Sequence, residues 1–144
     1  MGAPRLFLAV LLAAGCGGGA PRPVDLVLDE EECSLCRMAV SRRPFAAEAV
    51  TPAGAAHFFD DIGCLALWTV EQPPPPGTGL FVTDYGSGEW LDAKDARFVR
   101  AEKLETPMAS GLAAFGSADR AGEEAAKLGG RVVDWATAVA EASR

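Results

Sequence analysis

The apolar positions divide the chain into one unbroken run at its start and a series of short strand-like and helix-like segments after it. Residues 6–14 (LFLAVLLAA) carry no polar side chain. As a helix this run measures about 14 Å, too short for a bilayer core of about 30 Å. The Gly/Pro-rich stretch that follows, residues 17–23, forms no regular element and reads as a flexible tether. Residues 39–40 and 45–50 read as a hairpin about Ser41-Arg42-Arg43-Pro44, since Pro fixes φ and Ser bonds locally. Residues 55–59 read as a third strand. Asp60 and Asp61 then supply capping and first-turn acids to a helix over 62–70, where Ile62, Leu65, Ala66 and Thr69 share one face.

Four consecutive prolines within residues 72–79 (QPPPPGTG) end that helix and form a semi-rigid spacer. Strands are expected over 80–83, 89–91 and 96–100, the first two separated by the turn chemistry of Asp84-Tyr85-Gly86-Ser87-Gly88. Ser117 caps a helix over 118–128 with Ala118, Ala121, Ala125 and Leu128 on one stripe, and Gly129-Gly130 stops it. Residues 131–133 are a short strand, and Asp134 opens a last helix over 135–142. The fold class is therefore α+β with antiparallel strands, in two loosely similar halves. The organisation expected is a signal peptide over 1–15, a lipidated cysteine and tether over 16–29, a first half over 30–72, a linker over 73–79 and a second half over 80–144.

The N-terminal run gains meaning from its flanks. Arg5 precedes it, and the small residues Ala13-Ala14-Gly15 follow it, directly before Cys16. A basic start, a short apolar stretch and small residues at a cut site make a signal peptide. The ending resembles the bacterial lipobox, whose cysteine is acylated and becomes residue one; Ala13 stands where Leu is more usual. The alternative is an ordinary secretory signal with an incidental cysteine. Each buried methylene contributes about 0.8 kcal/mol, so two or three acyl chains on Cys16 would anchor the protein durably. The expected place is the cell envelope, on the periplasmic side, lipid-anchored in the outer membrane.

Composition adds two constraints. At 49% hydrophobic and 23% charged residues, the chain has the means to build a core. Its net charge of −7, with no basic cluster beyond Arg42-Arg43, excludes a nucleic acid partner and suits cations or positively charged surfaces.

The informative chemistry is Cys33-Ser34-Leu35-Cys36-Arg37-Met38. Thiolate and thioether are soft donors that favour Cu(I) over hard ions. In extended chain Cys36 and Met38 point to one side and can face one ion together. Met108, in Thr106-Pro107-Met108, is a third sulfur candidate from the other half. Three other readings stand beside this one. Cys33 and Cys36, or Cys33 and Cys64, make a structural disulfide in an oxidising compartment. Cys33, Cys36, Cys64 and His57 make a Cys₃His zinc set. A thiol–disulfide enzyme wants a βαβ context that is not evident. His57 sits in an apolar run and reads as structural, Cys64 as helix core, and the Asp60-Asp61 pair as caps. There is no P-loop and no GxSxG, and nothing requires an enzyme.

Taken together, the segments resemble the NosL family of lipoprotein copper chaperones associated with nitrous oxide reductase maturation. The resemblance rests on Cys33-Ser-Leu-Cys-Arg-Met38, Phe59-Asp-Asp-Ile-Gly-Cys-Leu65, Thr106-Pro-Met108, Ala114-Phe115 and the helix ending in Gly129-Gly130-Arg131-Val132. Arg37 and Ala109 stand where the family usually has glycine. The resemblance implies two small ββαβ-like halves and Cu(I) bound outside the cytoplasm. It implies delivery to nitrous oxide reductase or its copper-site assembly machinery. Carried onto matching positions, Cys36 and Met38 are the implied ligands, Met108 the next, and Cys33 a ligand or disulfide partner.

Overall fold

The structure, a computed structural model, describes residues 19–143. Cys16 and the signal segment lie outside them. The first unit contains β1 (Ala47–Val50), β2 (Ala56–Phe59), α1 (Ile62–Glu71), β3 (Gly79–Thr83) and β4 (Trp90–Asp92). The second contains β5 (Arg97–Arg100), β6 (Leu112–Phe115), α2 (Ala118–Leu128), β7 (Arg131–Val133) and α3 (Trp135–Ala142). The sheets run β2-β1-β3-β4 and β6-β5-β7, antiparallel at every pairing. In each unit the first strand lies between the second and third, and the helix joins the second to the third, so ββαβ occurs twice. Among the described residues, no helix is long and apolar enough to cross a membrane.

The expected hairpin of 39–40 with 45–50 does not form. Ala39 bridges Glu32, and Val40 exchanges backbone hydrogen bonds with Glu31 and Asp29. Pro44 lies in a 3₁₀ turn over Arg43–Phe45, and β1 takes β2 and β3 as its partners. Strand β6 (LAAF) was not expected from its sequence, because two small alanines give no strand signal outside their tertiary context. The prolines of 73–76 join α1 to β3 inside the first unit, and the chain passes between the sheets after β4.

Period-2 alternation explains why all four residues of β1 are buried. Ala47, Ala49 and Phe59 face a central core with Leu65 and Trp68 of α1. The same core takes Phe98, Leu112, Ala114 and Val133 from the second sheet and Ala138 from α3. Helix α2 covers that sheet's other face through Ala121 and Ala125. The other face of the first sheet is covered by the N-terminal segment, with Leu26 and Leu28 packed on Val40, Ala46 and Phe58. From Val24 onward, then, the stretch expected to be a tether is docked on the sheet.

Glu48, on that face, is fully buried and accepts the Val24 N–H at 3.1 and 3.2 Å on its two oxygens. Burial pushes its carboxyl up to about 7, opposed by the Val24 N–H and the Arg43 charge and reinforced by Glu31. The unfolded carboxyl titrates near 4.5, so the folded chain takes up a proton between these values that the unfolded chain does not. The stability this gives is complete below the unfolded value and is lost as pH rises through about 7. Urea midpoints of the wild type should therefore rise between pH 8 and pH 5, and those of Glu48→Gln should rise distinctly less. Parallel curves would show that Glu48 does not carry this dependence.

Candidate metal centre

Residues 33–38 form a closed loop on the edge of β2. Cys33 N–H donates to the Met38 carbonyl at 2.8 Å, Arg37 N–H to the Cys33 carbonyl at 3.0 Å, and Ser34 N–H to the Phe58 carbonyl at 2.8 Å. This pins Cys33, fully buried, beside the end of β2 and leaves Cys36 half-buried. The chain leaves β2 through Asp60 and turns into α1 at Asp61, whose carboxylate accepts the Gly63 N–H at 2.7 Å and caps the helix. Cys64 then lies in the first turn of α1.

The result is a cluster of Cys33, Cys36, Cys64 and Asp60 whose donor atoms all lie within 4.8 Å of one another. Asp60 Oδ1 accepts from Cys36 Sγ at 3.4 Å and from Cys64 Sγ at 3.7 Å. The three cysteines are free thiols, so neither expected disulfide is present among the described residues. The Cys64 thiol donates to Cys33 and, with the backbone N–H groups of Cys36, Asp60 and Leu35, holds it down to about 4 against the effect of burial. Donating that hydrogen bond while keeping its proton, together with burial, raises the Cys64 thiol well above the ordinary range. Burial pushes Cys36 up to about 11, and burial with the Cys33 charge pushes Asp60 up to about 6. The arrangement thus favours ionisation at Cys33, with its neighbours' S–H groups retained as donors. A metal held by these sulfurs would displace those protons.

The sequence-expected ligands are placed differently from one another. Cys33 and Cys36 are in the cluster. Met108 is 47% exposed and lines, with Cys36, Cys64, Leu35 and Leu67, a cavity of 280 Å³ that opens beside it. Met38 is 60% exposed and is not among the residues lining this cavity. His57, the nitrogen of the zinc alternative, stacks on Trp68 with ring centroids 5.2 Å apart, and Asp60 occupies the fourth donor place. Sequence reasoning gave Asp60 a capping role and Cys64 a packing role. The four-residue spacing from Asp60 to Cys64 across a helix start was the available signal, because that spacing stacks side chains on one face.

Both positions where glycine is usual in the resembling family carry left-handed backbone: φ is 66° at Arg37 and 56° at Ala109. A residue with a Cβ is strained there by roughly 1–2 kcal/mol, offset in part by the greater unfolded-state freedom of glycine. Arg37 has one compensation, an exposed ion pair with Glu32 at 2.6 Å. Ala109→Gly should accordingly stabilise the protein by about 1 kcal/mol, and Arg37→Gly by less. Denaturant midpoints measure this, and a loss of stability in Ala109→Gly would refute it.

No curated protein matches the sequence. The crystal structure of the copper chaperone NosL from Shewanella denitrificans matches the fold with a TM-score of 0.70 at 18% identity, over 79% of this chain and 93% of that one. The family model described as NosL matches residues 23–142, which span the N-terminal strap, both sheets and all four cluster residues; the chain belongs to the NosL family.

Proposed function

We propose that this protein is an envelope Cu(I) carrier, anchored through acylated Cys16, that hands copper to nitrous oxide reductase or to the machinery assembling its copper sites. The observation that carries the reading is the convergence of three thiol sulfurs and one carboxylate within 4.8 Å, with a methionine lining the adjoining cavity. Sulfur donors select soft ions and suit Cu(I) in a compartment where hard ions abound. Cys33 and Cys64 are buried while Cys36 is partly accessible, so an acceptor's ligands have one side from which to enter. Family membership and the likeness to a copper chaperone point the same way. The role is carriage rather than catalysis.

A second reading has its own support: three cysteines and one aspartate also make a tetrahedral set that zinc accepts. Anaerobic titration of the reduced full-length protein with Cu(I) and with Zn(II), followed by incubation with copper-free nitrous oxide reductase, separates the two. The carrier reading expects one tightly held Cu(I), not displaced by zinc, and its appearance in the acceptor. Zinc held in preference to Cu(I), or copper that never leaves, would decide against it.

A further inference from the structure

The Met108 loop is rooted on one carboxylate. Asp61 is fully buried. Its Oδ1 accepts the Gly63 N–H, and its Oδ2 accepts the Thr106 hydroxyl at 2.7 Å and the Met108 N–H at 2.8 Å. The Thr106 hydroxyl oxygen in turn accepts the Gly111 N–H at 3.2 Å, and Ala109 N–H donates to the Thr106 carbonyl at 3.1 Å. The loop therefore closes on itself around Thr106 and hangs from Asp61. A close approach holds it there: a Cβ on Gly63 would lie 2.5 Å from the Ser110 Cβ. Glycine at 63 lets the loop rest against the first turn of α1, beside Cys64.

Resting on the Cu(I)-carrier reading, we infer that Asp61 is a positioning residue: one carboxylate sets the helix that carries Cys64 and the loop that carries Met108 in a single register. The geometry assigns the two oxygens different tasks. Oδ1 does the capping, which asparagine also does well. Oδ2 takes two donors, and the Met108 N–H has no substitute if that oxygen becomes an NH₂ group. The Thr106 hydroxyl has one, since it can accept from the new amide instead of donating. Asp61→Asn therefore keeps the helix start and the four cluster residues, and releases Met108.

The test is a double-mutant cycle on Cu(I) affinity in the full chain, using wild type, Asp61→Asn, Met108→Leu and the double variant, with the sulfur count at bound Cu(I) read by X-ray absorption. Expected are equal losses of about 10–100-fold in both single variants, no further loss in the double variant, and one fewer sulfur in all three. Gly63→Ala gives a second route if Asp61→Asn folds poorly. Its Cβ would fall 2.5 Å from the Ser110 Cβ and 3.1 Å from Asp61 Oδ1, so it pushes the loop off the helix while the Asp61 carboxylate is retained, and it should reproduce the Met108→Leu loss. Wild-type affinity in Asp61→Asn beside a weakened Met108→Leu, or additive losses, would overturn the positioning role alone. A Met108→Leu protein with full affinity would remove Met108 as a ligand and the inference with it. A wild type that holds no Cu(I) would overturn the carrier reading itself.

Discussion

Cys33→Ser is expected to lower Cu(I) affinity by at least about 100-fold, more than the loss of a residue that only orients a ligand. Cys33 is the most readily ionised thiol of the cluster, held down by the Cys64 thiol and three backbone N–H groups. It is therefore the thiol best prepared to meet a metal as thiolate near neutral pH. A serine hydroxyl does not ionise there, and the N–H groups that solvated the sulfur anion would lose their partner. The pH dependence gives a second readout. Cys36, pushed up to about 11, must release a proton to bind, so affinity falls as pH falls, about tenfold per unit for each such thiol engaged. Cys33, the most readily ionised of the three, is expected to add least to that slope. Competition against a chromophoric Cu(I) chelator between pH 6 and 8 yields both quantities. An affinity in Cys33→Ser within a few-fold of wild type would show that the buried thiolate is not a ligand.

The second large effect is on stability and involves the carboxylate that ties the two sheets together. Asp84, at the end of β3, is 5% exposed. Its Oδ1 accepts the N–H groups of Gly86 and Ser87, and its Oδ2 that of Gly116, which lies between β6 and α2, each at 2.9 Å. Arg120 of α2 approaches Oδ1 at 3.5 Å. Burial raises the carboxyl, but the three backbone donors and the Arg120 charge outweigh it and hold it below its ordinary value. Asp84→Ala removes the acceptor for three main-chain donors at once and should cost about 3 kcal/mol; Gly86, Ser87 and Gly116 are all exposed, and the water they regain keeps the cost from being larger. Asp84→Asn keeps the shape and one acceptor and should cost about half as much. The sign with pH is opposite to that of Glu48. The stability from Asp84 is present above the unfolded value of 3.8 and is lost as pH falls through the lower folded value. Denaturant midpoints at pH 7 and pH 3 check both parts. An alanine variant within about 0.5 kcal/mol of wild type at pH 7 would show that the junction is held by other contacts.

The helices were legible in the sequence because each carries its own start signal: Asp61, Ser117 and Asp134 all accept a backbone N–H within the helix they open. Gly129, with φ of 64°, stops α2 as expected. The strands were less legible. Ala39-Val40 has strand-forming residues, but its backbone is taken by residues 29–32. Leu112–Phe115 has only Phe115 as a strong strand former and is a strand because β5 pairs with it. Within the candidate site, the CxxC pair was visible from spacing. Asp60 was not, because Asp60 and Asp61 are adjacent acids before a helix and sequence gives them one role. The fold separates them: Asp61 turns inward to cap α1, and Asp60 faces the thiols. The extended chain assumed between Cys36 and Met38 is replaced by a turn, with Arg37 in the left-handed conformation and the Met38 N–H donating to Cys36.

The central core, which takes Phe59 and Trp68 from one ββαβ unit and Phe98 and Ala138 from the other, leaves neither unit able to bury its own apolar face. The two halves are therefore expected to unfold in one cooperative transition, with the same midpoint in single-tryptophan variants that retain Trp68 or Trp135. Any ligand bound at the cluster then protects the whole chain. At a free metal concentration a thousand times the dissociation constant, the gain is about 4 kcal/mol over every residue of both sheets. The metal-free protein opens correspondingly more often along its entire length, so proteolysis is expected to cleave it ahead of the metal-bound form and to leave a pool enriched in the latter.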